Sequence, residues 1–337
     1  MTRPAVLVAR AVFDDVVDRL RAHFDVETNP DDTVFPKDEL IARLHGKAGA
    51  LTTGSERIDD AVLAANPQLK VVSNIAVGFN NFDMGAFDAR GVLGTNTPDV
   101  LTETTADFGF ALMMAAARRM AESEHFLRRG EWQRWSLTMF AGSDVHGATL
   151  GILGMGRIGQ AIARRGALGF GMRVLYHNRS RLDTATESAL GARYVSKAEL
   201  LRDADHLVLV LPYTAESHHA IGAAELASMK PTATLTNIAR GGIVDDAALA
   251  DALAAGRLAA AALDVFEGEP AVHPGLLAVP NVVLTPHIAS ATLATRRAMA
   301  HLAADNLIAG LGFGPDAGRP PTPLNPKVLD ARRVSGQ

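Results

Sequence analysis

The sequence contains no cysteine, which excludes disulfides, thiolate metal sites and cysteine nucleophiles and agrees with a reducing compartment. It has no apolar run near the ~20 residues that span a bilayer. Its start, MTRPAVLVARAVFDD, turns acidic before a long apolar region develops, so it does not read as a signal peptide. Charge of one sign is also missing. The 33 Lys and Arg against 37 Asp and Glu leave a formal net charge of −4, and the basic residues are scattered, with no cationic face for phosphate backbones or anionic lipid. No nucleic acid and no membrane partner is expected, and the reading is of a cytoplasmic protein. Tryptophan is rare, and both copies fall within GEWQRW (130–135).

What is present is an ordinary globular composition, 48% hydrophobic and 21% charged over 337 residues, enough for two domains of the usual ~100–200 residues. Short apolar runs alternate with amphipathic segments from residue 4 onward: AVLVA, DDVVDRLRAHF, AGALTT, a helix near 59–65, KVVSNIAV and GVLGTNTPDV. Such alternation predicts parallel strands joined by crossover helices. Residues 101–129 read as one long helix with Thr102 as N-cap, and 130–147 as an irregular arm that packs on a partner chain. A second alternating series runs from Ala148 to TPHIAS, with six predicted strands: ATLGILG, MRVLYHN, DHLVLVL, ATLTNIA, LAAAALDV and NVVLTPHI.

The fold class expected is therefore α/β: two doubly wound parallel-sheet domains, with a Rossmann cofactor domain inserted into a flavodoxin-like substrate domain. The substrate-binding domain takes residues 1–99 and 288–320. The dinucleotide domain takes 100–287, including the arm, and 321–337 forms a C-terminal tail whose proline-rich start, GRPPTPLNPKV, runs over the surface.

The stretch LGILGMGRIGQAIARR (150–165) carries Gly-x-Gly-x-x-Gly between a predicted strand and a predicted helix. Alone the pattern is weak, because turns need glycine anyway. In this context Gly154 permits the tight turn, Gly156 lets a pyrophosphate approach, and Gly159 lets helix and strand pack closely, with helix N–H groups facing the phosphates. Arg157 and Ile158 lie in the same turn. The next strand ends in Asn178, Arg179, Ser180 and Arg181, where an NAD-selecting chain usually places a carboxylate for the ribose 2′-OH. Guanidinium groups and a hydroxyl would instead receive a 2′-phosphate, so NADP(H) is the expected cofactor, with NAD(H) as the alternative. Pro212, Ile238 and Ser290 join these as candidate cofactor contacts.

Three segments place polar chemistry just past predicted strand ends, where an open α/β sheet binds ligand: NIARGGIVDDAAL, ALDVFEGEP and LTPHIAS. Arg240 could grip a substrate carboxylate bidentately, although an arginine in a turn is often only solvated. His287 could give and take a proton near neutrality, although a lone histidine is more often structural. A carboxylate would favour its protonated form, and Glu269 is the candidate, with Glu267 as the competing acid.

Together these motifs resemble the D-isomer-specific 2-hydroxyacid dehydrogenases, from about residue 45 to 310. The resemblance implies that Arg240 orients the substrate, His287 is the acid/base and Glu269 its partner. It also implies that Asp264 holds the nicotinamide carboxamide, that Thr104 contacts the cofactor, and that the Val77 and Gly78 amides receive the substrate carboxylate. VGFNNFD, TPDVLTETTAD, GEW and HNRSR look most like the glyoxylate/hydroxypyruvate reductases that also reduce 2-ketogluconate. Asn80 stands where many members carry aspartate, and Phe140 where a larger aromatic is usual. A homodimer is expected, and a metal site is not, because the eleven histidines show no ligand spacing such as H-x-x-x-H. The rival reading is a dinucleotide-sensing, corepressor-like binding protein of the same fold.

Overall fold

The structure, a computed structural model, describes residues 3–335. It divides into two units, Met1–Leu101 with Thr292–Gln337, and Thr102–Ala291.

The first unit holds five parallel strands, β1 (Ala5–Val8), β2 (Asp25–Thr28), β3 (Gly49–Thr52), β4 (Val71–Asn74) and β5 (Leu93–Thr95), in the order β2-β1-β3-β4-β5. This is the flavodoxin-like order, in which the chain reverses direction across the sheet between β1 and β3. Apolar layers cover both faces. One contains Leu7, Val62 and Phe87, and the other contains Val6, Leu20 and Leu307. Leu307 belongs to the helix Leu293–Gly310, which lies so close to the sheet that a Cβ on Gly49 would sit 2.7 Å from the Leu307 Cδ1.

The second unit holds seven parallel strands, β6 (Thr149–Leu153), β7 (Arg173–His177), β8 (Ala192–Tyr194), β9 (His206–Leu209), β10 (Thr234–Asn237), β11 (Ala260–Leu263) and β12 (Val282–Leu284), ordered β12-β11-β10-β9-β6-β7-β8. The order is that of a Rossmann sheet with one strand added at an edge, and the direction of winding switches between β6 and β9. Central strands such as TLGIL and HLVL are buried throughout, because a parallel sheet with helices on both faces leaves no wet side.

Four sequence expectations need correction. The second sheet has seven strands rather than six, since β8 (ARY) was not recognised, and β2 (DVET) was likewise missed in the first. Both are half-exposed edge strands, where no continuous apolar run is required. The helix expected over 101–129 is two helices, Thr102–Ala117 and Met120–Arg128. Arg119 between them is left-handed at φ 52°, and the Ala117 carbonyl accepts from Ser143 N at 2.8 Å instead of continuing the helix. Thr102 is accordingly the first residue of its helix and not the cap before it.

The tail expected from residue 321 is stitched into the first unit. Thr322 N donates to Asn306 Oδ1 at 2.9 Å, Gly94 N donates to Asn325 Oδ1 at 2.9 Å, and Asn325 Nδ2 donates to Val92 O at 2.9 Å. Pro320 and Asn325 are buried while Pro321 and Pro326 are exposed, so the proline-rich stretch does run over the surface but is anchored along the sheet edge. Among the described residues no helix is long and apolar enough to cross a membrane.

Candidate active site

The turn after β6 has the geometry that its glycines allow. Gly154 takes φ 104°, and a Cβ there would lie 2.6 Å from Leu211 N. A Cβ on Gly159 would lie 2.4 Å from the Gly154 carbonyl, whereas around Gly156 nothing comes within 4 Å. Two glycines are thus required by packing and the third faces open space. Gly156 caps the helix Arg157–Arg164 without a side-chain bond to its first turn. An open, glycine-lined helix start fits a pyrophosphate, so the residues present suit a dinucleotide.

Around the far end of that site the candidates divide. Asn178 uses Oδ1 to accept from Met155 N at 2.6 Å, which fastens the glycine turn to the end of β7. Arg181 is clamped by Glu187, donating from Nε at 2.9 Å and Nη2 at 2.7 Å. Glu187 also accepts from the Tyr176 hydroxyl at 2.7 Å. The Arg181 guanidinium and the Tyr176 hydroxyl hold the Glu187 carboxyl below its usual range, and burial together with Glu187 pushes the Tyr176 hydroxyl up to about 12. Arg179 and Ser180 are exposed, and Arg179 makes no hydrogen bond among the described residues. Thr104 lies half-buried in the first turn of the helix Thr102–Ala117. Pro212 is exposed and Ser290 half-buried. Ile238 is buried, its Cδ1 so close to that helix that a Cβ on Gly109 would sit 2.5 Å away.

Arg240, Glu269 and His287 all follow strand ends of the second sheet. Beyond β10, Asn237 shapes the turn by donating from Nδ2 to Arg240 O at 3.1 Å and accepting from Ala239 N at 3.0 Å. Gly241 next presses on the Phe266 carbonyl, 1.7 Å from where a Cβ would stand. Arg240 is half-buried. Burial draws its pKa down, and the Glu269 carboxylate pulls the other way.

His287 Nδ1 meets Glu269 Oε2 at 2.8 Å. Glu269 Oε1 accepts from Phe266 N at 2.9 Å, which fixes the carboxylate plane. Burial alone would raise the Glu269 carboxyl, but His287, the Phe266 amide and Arg240 outweigh it and hold the group below its usual range. Glu267, the competing acid, turns elsewhere and meets His219 Nε2 at 2.9 Å.

His287 is left-handed at φ 54°, an uncommon conformation for a side chain larger than glycine. Asp264 explains why it persists. Fully buried, it accepts from Thr285 Oγ1 at 2.7 Å, Ile288 N at 2.8 Å and Ala289 N at 2.8 Å, and its own carbonyl accepts from His287 N at 2.9 Å. Asn237 and Thr285 were not singled out from sequence. A polar residue ending the apolar strand TLTN was the available signal for the first, and Thr285 carried none.

In the first unit, the loop after β4 pins the carbonyls of Val77 and Gly78, which accept from Asn96 Nδ2 at 2.7 Å and Asn74 Nδ2 at 3.1 Å. Their amides donate to no acceptor among the described residues.

A Rossmann-type unit with an empty-faced glycine turn and an Arg, Glu and His group at the strand ends defines a dinucleotide-dependent oxidoreductase. Residues 110–289 match the family described as D-isomer specific 2-hydroxyacid dehydrogenase, NAD binding domain. The glyoxylate reductase of Thermococcus gammatolerans is 46% identical over 335 residues, covering 98% of both chains. That of Aeropyrum pernix is 46% identical over 339 residues, covering 99% of both. Among solved structures, the NADPH-dependent glyoxylate/hydroxypyruvate reductase of Sinorhizobium meliloti, in complex with NADP and malonate, superposes with a TM-score of 0.83 at 35% identity, covering 96% of this chain and 97% of that one. The chain belongs to the D-isomer-specific 2-hydroxyacid dehydrogenase family.

The depressed Glu269 carboxyl sets a sign for pH dependence. Its ionised form is the one the fold favours, so its contribution to stability is present above the ordinary carboxylate range and is lost as pH falls through it. The loss in thermal midpoint between about pH 6 and about pH 4 should therefore be larger for the parent protein than for Glu269→Gln. Equal losses in the two would remove the His287–Glu269 pair from this account.

Proposed function

We propose that the enzyme reduces glyoxylate and the related 2-keto acids hydroxypyruvate and 2-ketogluconate to D-2-hydroxy acids, with NADPH preferred over NADH and His287 as acid/base. The observation that carries this reading is the 2.8 Å contact between His287 Nδ1 and Glu269. It commits one ring nitrogen to the carboxylate and leaves Nε2 for the substrate oxygen. A nicotinamide held by the second unit would supply the hydride that C2 accepts. The protein's own part is to give a proton from His287 Nε2 to the oxygen as the C=O π electrons move onto it, with Glu269 stabilising the imidazolium beforehand.

Arg240 carries the substrate's carboxylate and polarises its carbonyl, and its partial burial strengthens that charge–charge contact. The unclaimed amides of Val77 and Gly78 are suited to a carboxylate as well. Asp264 takes the carboxamide: of its two oxygens, Oδ2 accepts only from Ala289 N among the described residues, which leaves a lone pair.

The cofactor preference rests on Arg179 and Ser180, whose polar groups are exposed beyond β7. Arg181 contributes less than its charge suggests, because Glu187 neutralises it. Initial rates with NADPH and NADH on the three keto acids test the reading. The expected result is faster turnover with NADPH, and an Arg179→Ala change that raises KM for NADPH by about tenfold while leaving NADH nearly unaffected. Equal loss with both cofactors would contradict the 2′-phosphate assignment. Tight NADPH binding with no turnover of any keto acid would favour a sensor.

The homodimer is part of the same proposal. Trp132, Trp135 and Leu137 of the arm are 55%, 71% and 83% exposed, and Leu127 of the preceding helix is 57% exposed. So much apolar surface on one segment is unusual for a chain that stays alone. Sedimentation should give twice the chain mass, and Trp135→Ser with Leu137→Ser should shift it toward the monomer. A monomer in the parent protein would refute the assignment.

A further inference from the structure

Sequence spacing gave no metal ligands, yet the fold gathers His218, His219 and Glu267 so that one potential ligand atom from each lies within 4.8 Å of the others. The two histidines are neighbours in the chain, and neighbouring side chains ordinarily diverge. Here His219 is left-handed at φ 48°, its amide donating to Gly242 O at 2.7 Å. Its ring therefore stacks on that of His218 with centroids 3.9 Å apart and planes 23° apart. Glu267 reaches the pair from the loop after β11, its backbone amide fastened to Asp246 Oδ2 at 3.0 Å. None of these three side chains is used by the His287–Glu269 pair.

We propose that His218, His219 and Glu267 bind one divalent transition-metal ion of the zinc class, with water as the fourth ligand. Two imidazoles and a carboxylate form a borderline-soft set that suits Zn(II) better than the hard, all-oxygen cations. The geometry needs little change. Metal bonds of ~2.0–2.2 Å at a tetrahedral angle put neighbouring ligand atoms about 3.4 Å apart. His219 Nε2 and Glu267 Oε2 are 2.9 Å apart, already facing one another where the ion would sit.

The Tyr213 hydroxyl lies 3.1 Å from His218 Nδ1, in reach to take the N–H of a ring that ligates through its other nitrogen, which is the usual arrangement of metal-bound histidine. Asp245 Oδ2 lies 3.8 Å from His219 Nδ1, beyond hydrogen-bond distance. A side chain at Gly242 would meet Tyr213 at 3.1 Å and His218 Nδ1 at 3.5 Å, so the glycine after Gly241 also keeps this space open.

Titration of the full-length protein with Zn(II) alone, followed by calorimetry at neutral pH, should show one equivalent bound. His219→Ala and Glu267→Gln should each weaken it by at least about tenfold, since even outer partners of a ligand cost that much. Both positions are partly exposed, and thermal melts check that the variants fold. Co(II) in place of Zn(II) should give the visible absorption of a four-coordinate N/O site, and Glu267→Gln should diminish it. His287→Ala controls for the other His–carboxylate pair and should retain the equivalent. Absence of binding, or binding lost in His287→Ala but kept in His219→Ala, would overturn the proposal.

Discussion

The grip of the Asp264 carboxylate on the segment 285–289 is the contact on which the second unit's chemistry depends. A buried carboxylate is costly unless it is hydrogen-bonded, and here a hydroxyl and two amides donate to it while the Asp264 carbonyl receives the His287 amide. The same four bonds keep His287 in a backbone conformation it would not adopt unaided. That conformation turns the imidazole toward Glu269, and Glu269 is aimed in turn by the Phe266 amide. Orientation of the His287 ring is thus set by backbone groups of two consecutive strand ends, which are stiff because β11 and β12 pair in register from Ala261 with Val282 to Leu263 with Leu284.

Steric exclusion by glycine does comparable work where chain meets chain. Gly241 lets the Arg240 turn press on the loop that carries Glu267 and Glu269, and Gly159 lets the helix Arg157–Arg164 approach the turn after β6. Either position would need backbone to move for a single methyl group. The open surroundings of Gly156 have a different cause, since nothing of the protein packs within 4 Å of where its Cβ would stand.

Much of this was legible in the sequence because parallel sheets buried on both faces write themselves as apolar runs, and because functional groups of such sheets fall just beyond them. Arg240, Glu269 and His287 were singled out that way, and the structure sets His287 Nδ1 against Glu269 Oε2. The edge strands β2 and β8 were not, since an edge with one wet side needs no apolar run, and the break at Arg119 left no glycine or proline to mark it. Side-chain partners were equally hidden. Nothing in HNRSR shows that Glu187 will neutralise Arg181 while Arg179 stays exposed, and nothing in the histidine spacing shows Glu267 arriving from 48 residues beyond His219. The second fact belongs to the order of strands, which brings the ends of β9, β10 and β11 side by side, whereas the first is local, Arg181 and Glu187 both lying just beyond β7.

The most direct measurement is kcat for glyoxylate reduction by His287→Gln beside its NADPH affinity from cofactor fluorescence. The glutamine keeps a polar side chain at the position but cannot deliver a proton. A fall in kcat of about 10²–10⁴-fold with NADPH binding unchanged is the result predicted. A kcat within a few-fold of the parent enzyme would place the proton donor elsewhere and contradict the role assigned to the His287–Glu269 pair.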